Sequence, residues 1–199
     1  MMDLGPVEPT IGILGAGQMG LALARRWVAS DHRVFLGSRN LPRVQELSAA
    51  LGPNACGASY QEAAAAAQVV VFTMPPHALL DVVRDLADLL GDKILLDCSG
   101  AAEPVTWENR NTRVSLAEQV AGCAPGARVI KALTTIPSAT IDMERYPPVK
   151  ALYCGDDDGA KSTVHRLIKE LELEPIDAGA LREARLFEYY ASRAQWNAS

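Results

Sequence analysis

Residues 11–20 read Ile11-Gly12-Ile13-Leu14-Gly15-Ala16-Gly17-Gln18-Met19-Gly20, and this stretch decides the fold. An apolar strand runs into a Gly-x-Gly-x-x-Gly turn, and the turn opens a helix. Gly15 permits the tight turn, Gly17 lets the backbone approach a pyrophosphate, and Gly20 lets the helix pack closely on the strand. The helix N-terminus then offers free N–H groups and a positive dipole end to phosphate. The order of strand, turn and helix favours a dinucleotide-binding loop over residues 15–19 rather than a merely structural glycine turn.

The residues at the end of the second strand indicate which dinucleotide such a domain prefers. Strand residues 33–36 run into Gly37-Ser38-Arg39-Asn40, which contains no carboxylate. A domain that prefers NAD places Asp or Glu roughly 20 residues after the glycine turn to hold the ribose 2′-hydroxyl. A carboxylate would repel a 2′-phosphate, whereas a hydroxyl and a guanidinium fork bind one. We therefore predict NADP binding through Ser38 and Arg39, the alternative for Arg39 being an ordinary surface arginine. Arg43 either reaches the same phosphate or pairs on the surface.

Composition and charge exclude several classes of protein. The chain has 199 residues, 49% of them hydrophobic, and a net charge of −5. This length predicts one domain over residues 1–199, with a flexible N-terminus over 1–9 and a C-terminal helix and tail over 180–199. The absence of basic clusters argues against nucleic acid, and the absence of a long apolar run argues against membrane insertion. Four scattered cysteines and an N-terminus unlike a signal peptide favour reduced thiols in a cytoplasmic protein.

Strand and helix signals alternate along the chain. This alternation predicts an α/β fold, namely a Rossmann-type, doubly wound, mostly parallel sheet in a single domain with a C-terminal helical extension. Strands are expected over residues 10–14, 33–36, 56–58, 69–72, 93–97, 128–133, 149–154 and 174–177. Helices are expected over residues 18–30, 42–51, 60–68, 78–90, 115–122, 156–172 and 180–193, with irregular connections at 100–112 and 136–148.

The expected topology selects three more segments as cofactor-binding. In such sheets the ligand lies outside the carboxyl ends of the strands, at the point where the strand order reverses. The residues selected by that rule follow the fourth, fifth and sixth strands: Thr73, Met74, Pro75 and His77; Cys98 and Ser99; and Thr134, Ile136 and Ser138.

Several candidate residues have plainer interpretations. Prolines 75 and 76 could simply end the strand, with His77 as a solvated residue at the start of a helix; nothing beyond its residue type favours His77 as an acid or base. No histidine is placed to activate Cys98 or Ser99, so both are interpreted as pocket lining and no catalytic residue is predicted. The acidic run at 156–158 is explained by a helix N-cap and first turn, so no metal site is predicted.

Five segments together resemble a known family. They are Gly15-Ala16-Gly17-Gln18-Met19-Gly20, Gly37-Ser38-Arg39, residues 129–138 (Val-Ile-Lys-Ala-Leu-Thr-Thr-Ile-Pro-Ser), Cys154-Gly155-Asp156-Asp157-Asp158 and residues 175–185 (Pro-Ile-Asp-Ala-Gly-Ala-Leu-Arg-Glu-Ala-Arg). The chain resembles the coenzyme F420-dependent NADP oxidoreductases over about residues 10–188. It is also similar to the cytoplasmic reductase domain of transmembrane ferric reductases, which pairs NADPH with a flavin.

The resemblance implies hydride transfer between NADP(H) and a deazaflavin or flavin (F420, FMN or FAD) stacked on the nicotinamide. It implies a phosphate loop at residues 16–19, a 2′-phosphate site at Ser38, Arg39 and Arg43, and cofactor contacts from Met74 and His77. It also implies that Thr134, Ile136 and Ser138 lie between the two ring systems. The chain departs from the family at Thr134, where members often carry His or Asn, and in its short polar C-terminal tail.

Three hypotheses remain at this point. The first is the NADP-dependent hydride transfer just described, in which the cofactors supply the organic chemistry and the protein supplies placement. The second is NADPH reduction of a small imine or carbonyl, with Thr134, Ser99 or His77 as the proton donor. The third is a non-catalytic NADP(H)-binding protein that senses the nucleotide or binds a partner. The aromatic side chains of the last helix, Phe187, Tyr189, Tyr190 and Trp196, suggest a homodimer surface or pack on the chain's own sheet.

Overall fold

An eight-stranded sheet forms the centre of the molecule. The computed structural model describes residues 8–103, 105–143 and 149–196. The strands are β1 (Ile11–Leu14), β2 (Val34–Gly37), β3 (Ala55–Ala58), β4 (Val69–Phe72), β5 (Ile94–Asp97), β6 (Arg128–Ala132), β7 (Lys150–Gly155) and β8 (Glu174–Asp177). The helices are α1 (Gln18–Ala29), α2 (Leu41–Ala49), α3 (Tyr60–Ala66), α4 (Pro76–Asp85), α5 (Ala87–Leu90), α6 (Leu116–Cys123), α7 (Ser138–Asp142), α8 (Asp158–Glu170) and α9 (Ala184–Trp196).

The strand order β3-β2-β1-β4-β5-β6-β7-β8 confirms the Rossmann-type fold. Strands β1 to β6 are parallel, and the order reverses between β1 and β4, where Leu14 pairs with Phe72. The last two strands run the other way, because β7 pairs antiparallel to β6 and parallel to β8. The described part of the connection from β6 to β7 contains the five-residue helix α7. An antiparallel neighbour does not require the long crossover of a parallel one.

The sheet is buried between two helical layers. Strands β1, β4 and β5 are buried at every position, as expected when both faces of a parallel sheet are covered. One layer contains buried residues of α1, α2, α7 and α8, and the other contains those of α3, α4, α6 and α9. Trp27 of α1 is fully buried, and its indole N–H donates to the Leu167 carbonyl of α8 at 3.1 Å. That bond satisfies the polar edge of the largest fully buried side chain.

The structure differs from the expected elements in three places. The helix expected over 78–90 is broken at Leu86, whose backbone leaves the helical region. The connection expected to be irregular over 136–148 contains α7, which follows Pro137 as its N-cap. The last helix begins with a short 3₁₀ turn at Leu181–Glu183, and α9 itself begins at Ala184, four residues later than expected.

Some expectations concern residues outside the described ranges. The flexible N-terminus expected over residues 1–9 lies there except for Glu8 and Pro9, and the Pro9 carbonyl lies 3.1 Å from His32 Nδ1. The side chain of Trp196 also lies outside them. Among the other aromatic residues of α9, Phe187 is buried while Tyr190 is half exposed, and the homodimer stays a prediction. Within the described ranges, each helix is too short or too polar to cross a bilayer.

Candidate cofactor site

The glycine turn has the geometry that its sequence predicts. Gly15 adopts φ +124°, a conformation that side chains rarely allow. Its N–H donates to the Gly37 carbonyl at 3.1 Å, and its own carbonyl accepts from Thr73 Oγ1 at 2.8 Å. A Cβ at Gly20 would lie 1.9 Å from the Gly15 carbonyl oxygen. The turn is therefore held against β2 and β4, and α1 packs on it at a distance that only glycine permits.

Gly17 is the open position of this turn. It is the N-cap of α1, with no side chain to cap the free N–H groups, and the first turn of α1 carries no acidic residue. A Cβ added there would meet nothing within 4 Å. Ala16 and Met19 are half-buried and pack against the core, while Gln18 is exposed. The N-terminus of α1 thus presents uncapped donors to open space, the arrangement that binds a phosphate.

The carboxyl end of β2 brings Ser38, Arg39 and Arg43 to the start of α2. Ser38 Oγ accepts the Asn40 N–H at 3.1 Å, so its hydroxyl hydrogen stays available. Asn40 caps α2 by accepting the Arg43 N–H at 3.2 Å, a cap that the sequence reasoning missed although Asn before a Pro-containing helix start is a recognisable signal. Arg39 and Arg43 are exposed, and within the described ranges no ion pair involves either guanidinium.

The segment after β4 lies beside the glycine turn. Thr73 contacts it directly through the hydrogen bond to the Gly15 carbonyl. Met74 is buried, whereas Pro75 and His77 are exposed. Pro75 is the N-cap of α4 and Pro76 its first residue, which explains the strand stop and the helix start together. His77 therefore lies at a helix N-terminus in solvent, and its contact with a cofactor stays a prediction.

The residues after β5 lie deeper than pocket-lining residues would. Cys98 is buried, and burial raises the pKa of its thiol far above the usual range. Ser99 is also buried; its N–H and its hydroxyl donate to Asp97 Oδ1 at 2.8 and 2.6 Å. The only donor of the Ser99 side chain is thus already engaged inside the protein. Both side chains lack the exposure of a nucleophile, and their expected contact with a cofactor stays a prediction.

A buried cluster of charged residues lies where β5, β6 and α9 meet, and sequence reasoning missed it. Lys131 of β6, Asp97 of β5 and Glu188 of α9 are each 1% exposed or less. Lys131 Nζ lies 2.8 Å from Asp97 Oδ2 and 3.6 Å from Glu188 Oε1. Burial raises the pKa of Glu188, while Lys131 acts to lower it. The available signal was Lys131 between apolar residues of β6 and Asp97 at the end of the apolar β5, since such residues are rarely buried unless paired.

The segment after β6 begins with a strained residue. Leu133 has φ +61°, which is unusual for a side chain of this size, and the Ile136 N–H closes the turn on its carbonyl at 3.1 Å. Ile136 is buried, Thr134 is half-buried, and Ser138 begins α7. The three residues lie together at the carboxyl end of β6. Their expected contacts with the two rings stay a prediction.

Two side-chain clusters elsewhere bear on metal binding. Asp157 caps α8 by accepting the Ala160 N–H at 2.7 Å, which confirms the interpretation of the acidic run as a helix start. Glu8, His32 and Glu170 come within 4.8 Å of one another, with His32 Nε2 2.7 Å from Glu170 Oε2. Sequence spacing gave no sign of this group, because its members come from three distant segments.

The four cysteines are free thiols, as expected.

Comparison with known proteins places this geometry in a family. The family model described as NADP oxidoreductase coenzyme F420-dependent matches residues 10–100. An F420-dependent NADP reductase from Methanothermobacter thermautotrophicus is 30% identical over 87% of this chain and 82% of its own length. Metalloreductase STEAP3 from Rattus norvegicus is 34% identical over 90% of this chain, and the chain spans only 36% of that relative.

Solved structures agree with these relatives. A protein from Arthrobacter sp. FB24, provisionally named an F420-dependent NADP reductase, superposes with a TM-score of 0.81 at 26% identity, over 96% of this chain and 92% of its own. An imine reductase from Bacillus cereus shares the fold at 22% identity, with a TM-score of 0.69 over 95% of this chain and 61% of its own. The chain belongs to the coenzyme F420-dependent NADP oxidoreductase family.

Proposed function

We propose that this chain binds NADP(H) at the carboxyl edge of β1, β2 and β4 and transfers hydride between its nicotinamide and a deazaflavin or flavin. The observation that carries the proposal is the pairing of an open, uncapped α1 N-terminus with a β2 end that has a hydroxyl and a guanidinium but no carboxylate. The first feature suits a pyrophosphate. The second suits a 2′-phosphate on the adenosine ribose.

The residues present fit this cofactor. The space above Gly17 is free of protein atoms within 4 Å of an added Cβ, so a diphosphate can approach the backbone there. Gly15 and Gly20 hold the turn in place through Thr73 and the β2 end. Ser38 has a hydroxyl hydrogen to donate, and Arg39 has an exposed guanidinium that can form two parallel bonds to a phosphate.

The proposed hydride transfer requires no nucleophilic side chain. When bound, the nicotinamide supplies the hydride chemistry, and the protein supplies orientation and exclusion of water. The Ser99 hydroxyl is engaged by Asp97, and the Cys98 thiol is held protonated by burial. Direct transfer between two rings needs neither group. Reduction of an imine or carbonyl would need a proton donor, and of the three candidates only Thr134 and His77 are accessible.

The relatives support the choice of electron partner. Three F420-dependent NADP reductases align with most of this chain and most of their own length. The most identical of the reported relatives is instead a metalloreductase of which the chain spans about a third. We therefore propose a deazaflavin as the first acceptor to test and a flavin (FMN or FAD) as the second.

The 2′-phosphate assignment is tested by Arg39→Asp. A hydrogen bond to a charged group is worth about 1.5–3 kcal/mol, so the dissociation constant of NADPH should rise on the order of tenfold to a hundredfold while that of NADH changes little. Arg33→Asp is the matched control, because Arg33 precedes β2 at its opposite end and lies over the Phe35 ring. An unchanged preference between NADPH and NADH in the Arg39 variant would show that this residue does not bind the 2′-phosphate.

The acceptor is tested by mixing the protein with NADPH and, separately, F420, FMN and FAD, and following the loss of NADPH absorbance. Oxidation with F420 alone supports the deazaflavin, and oxidation with a flavin supports the second choice. Tight NADPH binding without oxidation by any of the three would overturn the proposed hydride transfer and leave a nucleotide-binding protein.

A further inference from the structure

The buried charge cluster lies at the carboxyl ends of β5 and β6, beside residues 134–138, where the family resemblance implies the nicotinamide. Asp97 is the last residue of β5 and pairs in register with Lys131 on β6. The following residue, Cys98, donates its N–H to the Phe72 carbonyl at the end of β4. Thr73, the residue that follows β4, donates its hydroxyl to the Gly15 carbonyl in the glycine turn. A continuous set of backbone contacts therefore joins the cluster to the phosphate loop along the carboxyl edge.

The cluster forms hydrogen bonds with the N–H, the hydroxyl and the carbonyl of Ser99. Its N–H and hydroxyl donate to Asp97 Oδ1 at 2.8 and 2.6 Å, and its carbonyl accepts from Lys131 Nζ at 2.7 Å. The first of these bonds is an Asx turn, which sets the direction of the chain as it leaves a strand. The N–H, hydroxyl and carbonyl groups of Ser99 are thus all hydrogen-bonded to Asp97 or Lys131. Gly100 and the segment after it leave β5 in a direction set by Lys131 and Asp97.

Glu188 connects this turn to the C-terminal helix. Its Oε1 accepts the N–H groups of Leu116 and Ala117, at 2.7 and 3.4 Å, at the start of α6. The same oxygen lies 3.6 Å from Lys131 Nζ. A carboxylate at a helix N-terminus is favoured by the helix dipole. Glu188 therefore fixes α9, α6 and Lys131 to one another at one buried point.

Stability alone does not account for such a cluster. Replacing a buried ion pair by well-packed apolar residues is often neutral or stabilising, so buried charges are weak evidence for a stabilising role. Ionisable groups buried together beside a cleft are candidates for a functional role. The surroundings of Lys131 are otherwise apolar, with Cys154 facing it across β6 and β7 and Leu181 and Phe187 in the same core layer.

We propose that Lys131, Asp97 and Glu188 are positioning residues that hold the Ser99 turn, and thereby the nicotinamide half of the cofactor site, in its binding geometry. This inference rests on the proposed function. The three residues are buried, and they act through the turn that Asp97 and Lys131 bond. Loss of the cluster should weaken contacts at the nicotinamide end and leave the adenosine end, at Ser38 and Arg39, unaffected.

The experiment compares two ligands on the full chain by calorimetry: NADPH, which spans the cleft, and 2′,5′-ADP, which reaches only the adenosine end. Glu188→Gln keeps an oxygen for the Leu116 N–H but removes the charge that faces Lys131. Lys131→Met removes the ammonium at nearly constant size. Lys161→Met is the matched control, since it removes an ion pair with Asp177 (3.1 Å) on the β8 side of the sheet.

Each ligand hydrogen bond that is lost or misaligned weakens binding by roughly twofold to tenfold. We expect the dissociation constant of NADPH to rise at least tenfold in the Lys131 variant and several-fold in the Glu188 variant, with that of 2′,5′-ADP unchanged in both. The Lys161 variant should change neither. If Lys131→Met does not fold, because it leaves Asp97 unpaired, Glu188→Gln decides the question.

Each result has a distinct meaning. Equal weakening of both ligands would indicate a general structural effect and overturn the inference, as would unchanged affinity for NADPH. Failure of the unmodified protein to bind 2′,5′-ADP would overturn the proposed function itself, and with it the inference. A selective loss of NADPH affinity supports both.

Discussion

Gly17→Ala separates cofactor binding from folding more cleanly than any other substitution in the glycine turn. The Cβ of the new alanine would meet no protein atom within 4 Å, and φ at this position is −82°, a value that alanine adopts without strain. The substitution therefore adds one methyl group to the surface on which we place the pyrophosphate. Nothing inside the protein has to move to receive it.

The expected change in stability is small because two effects oppose each other. Replacing Gly by Ala lowers the entropy of the unfolded chain and stabilises by about 0.4–1 kcal/mol where the backbone is compatible. Alanine is a poorer N-cap than glycine, by roughly 0.5 kcal/mol. The free energy of unfolding should thus stay within about 0.5 kcal/mol of the unmodified protein. At Gly20, where the Cβ would lie 1.9 Å from the Gly15 carbonyl oxygen, the same substitution should prevent folding.

The expected change in binding is large. Forcing a methyl group into a packed contact typically costs 1–3 kcal/mol, and 1.4 kcal/mol is a factor of about ten in affinity. The dissociation constant of NADPH, measured by calorimetry, should rise by about fivefold to a hundredfold or more. Gly122→Ala is the control, because Gly122 is an exposed position of α6 where a Cβ also meets nothing. Normal NADPH affinity in a folded Gly17 variant would refute the placement of the pyrophosphate.

Two further predictions concern stability. In Glu118, burial acts to raise the pKa of the carboxyl, but hydrogen bonds from Arg185 and Ser115 outweigh it and hold the pKa below 4.5. The folded pKa is thus below the unfolded one, so the stabilisation is present above about pH 4.5 and is lost as pH falls through the folded pKa. Urea unfolding should show Glu118→Gln less stable than the unmodified protein at neutral pH, with the two converging in acid; a constant difference at all pH values would contradict this. Trp27→Ala should cost about 3–5 kcal/mol, because Trp27 is fully buried and its indole is hydrogen-bonded. Trp107→Ala should cost only about 1–2 kcal/mol, because this side chain is 53% exposed and loses ring contacts with Tyr189 and Arg110. Comparable losses in the two would show that burial does not decide the cost.

Much of the fold and part of the site could be predicted because their signals are local. The apolar strands and glycine spacing of residues 11–20 predict β1, the turn and α1 without knowledge of the remaining chain. The missing carboxylate at residues 37–40 is equally local. The direction of β7 was not predictable in this way, since a strand has the same pattern of side chains whichever way its neighbour runs.

The amino-acid sequence by itself determined the glycine turn and the residues that form it, and the end of β2 predicts a preference for NADP over NAD. Only the tertiary structure decided that Ser99 turns inward and that Asp97, Lys131 and Glu188 meet. These three residues belong to β5, β6 and α9, and their contacts depend on strand pairing and helix docking over a separation of up to 91 positions along the chain. A local sequence pattern shows the periodicity of a single helix or strand. A buried charge is stabilised by partners on other elements, and these come together only when the chain has folded.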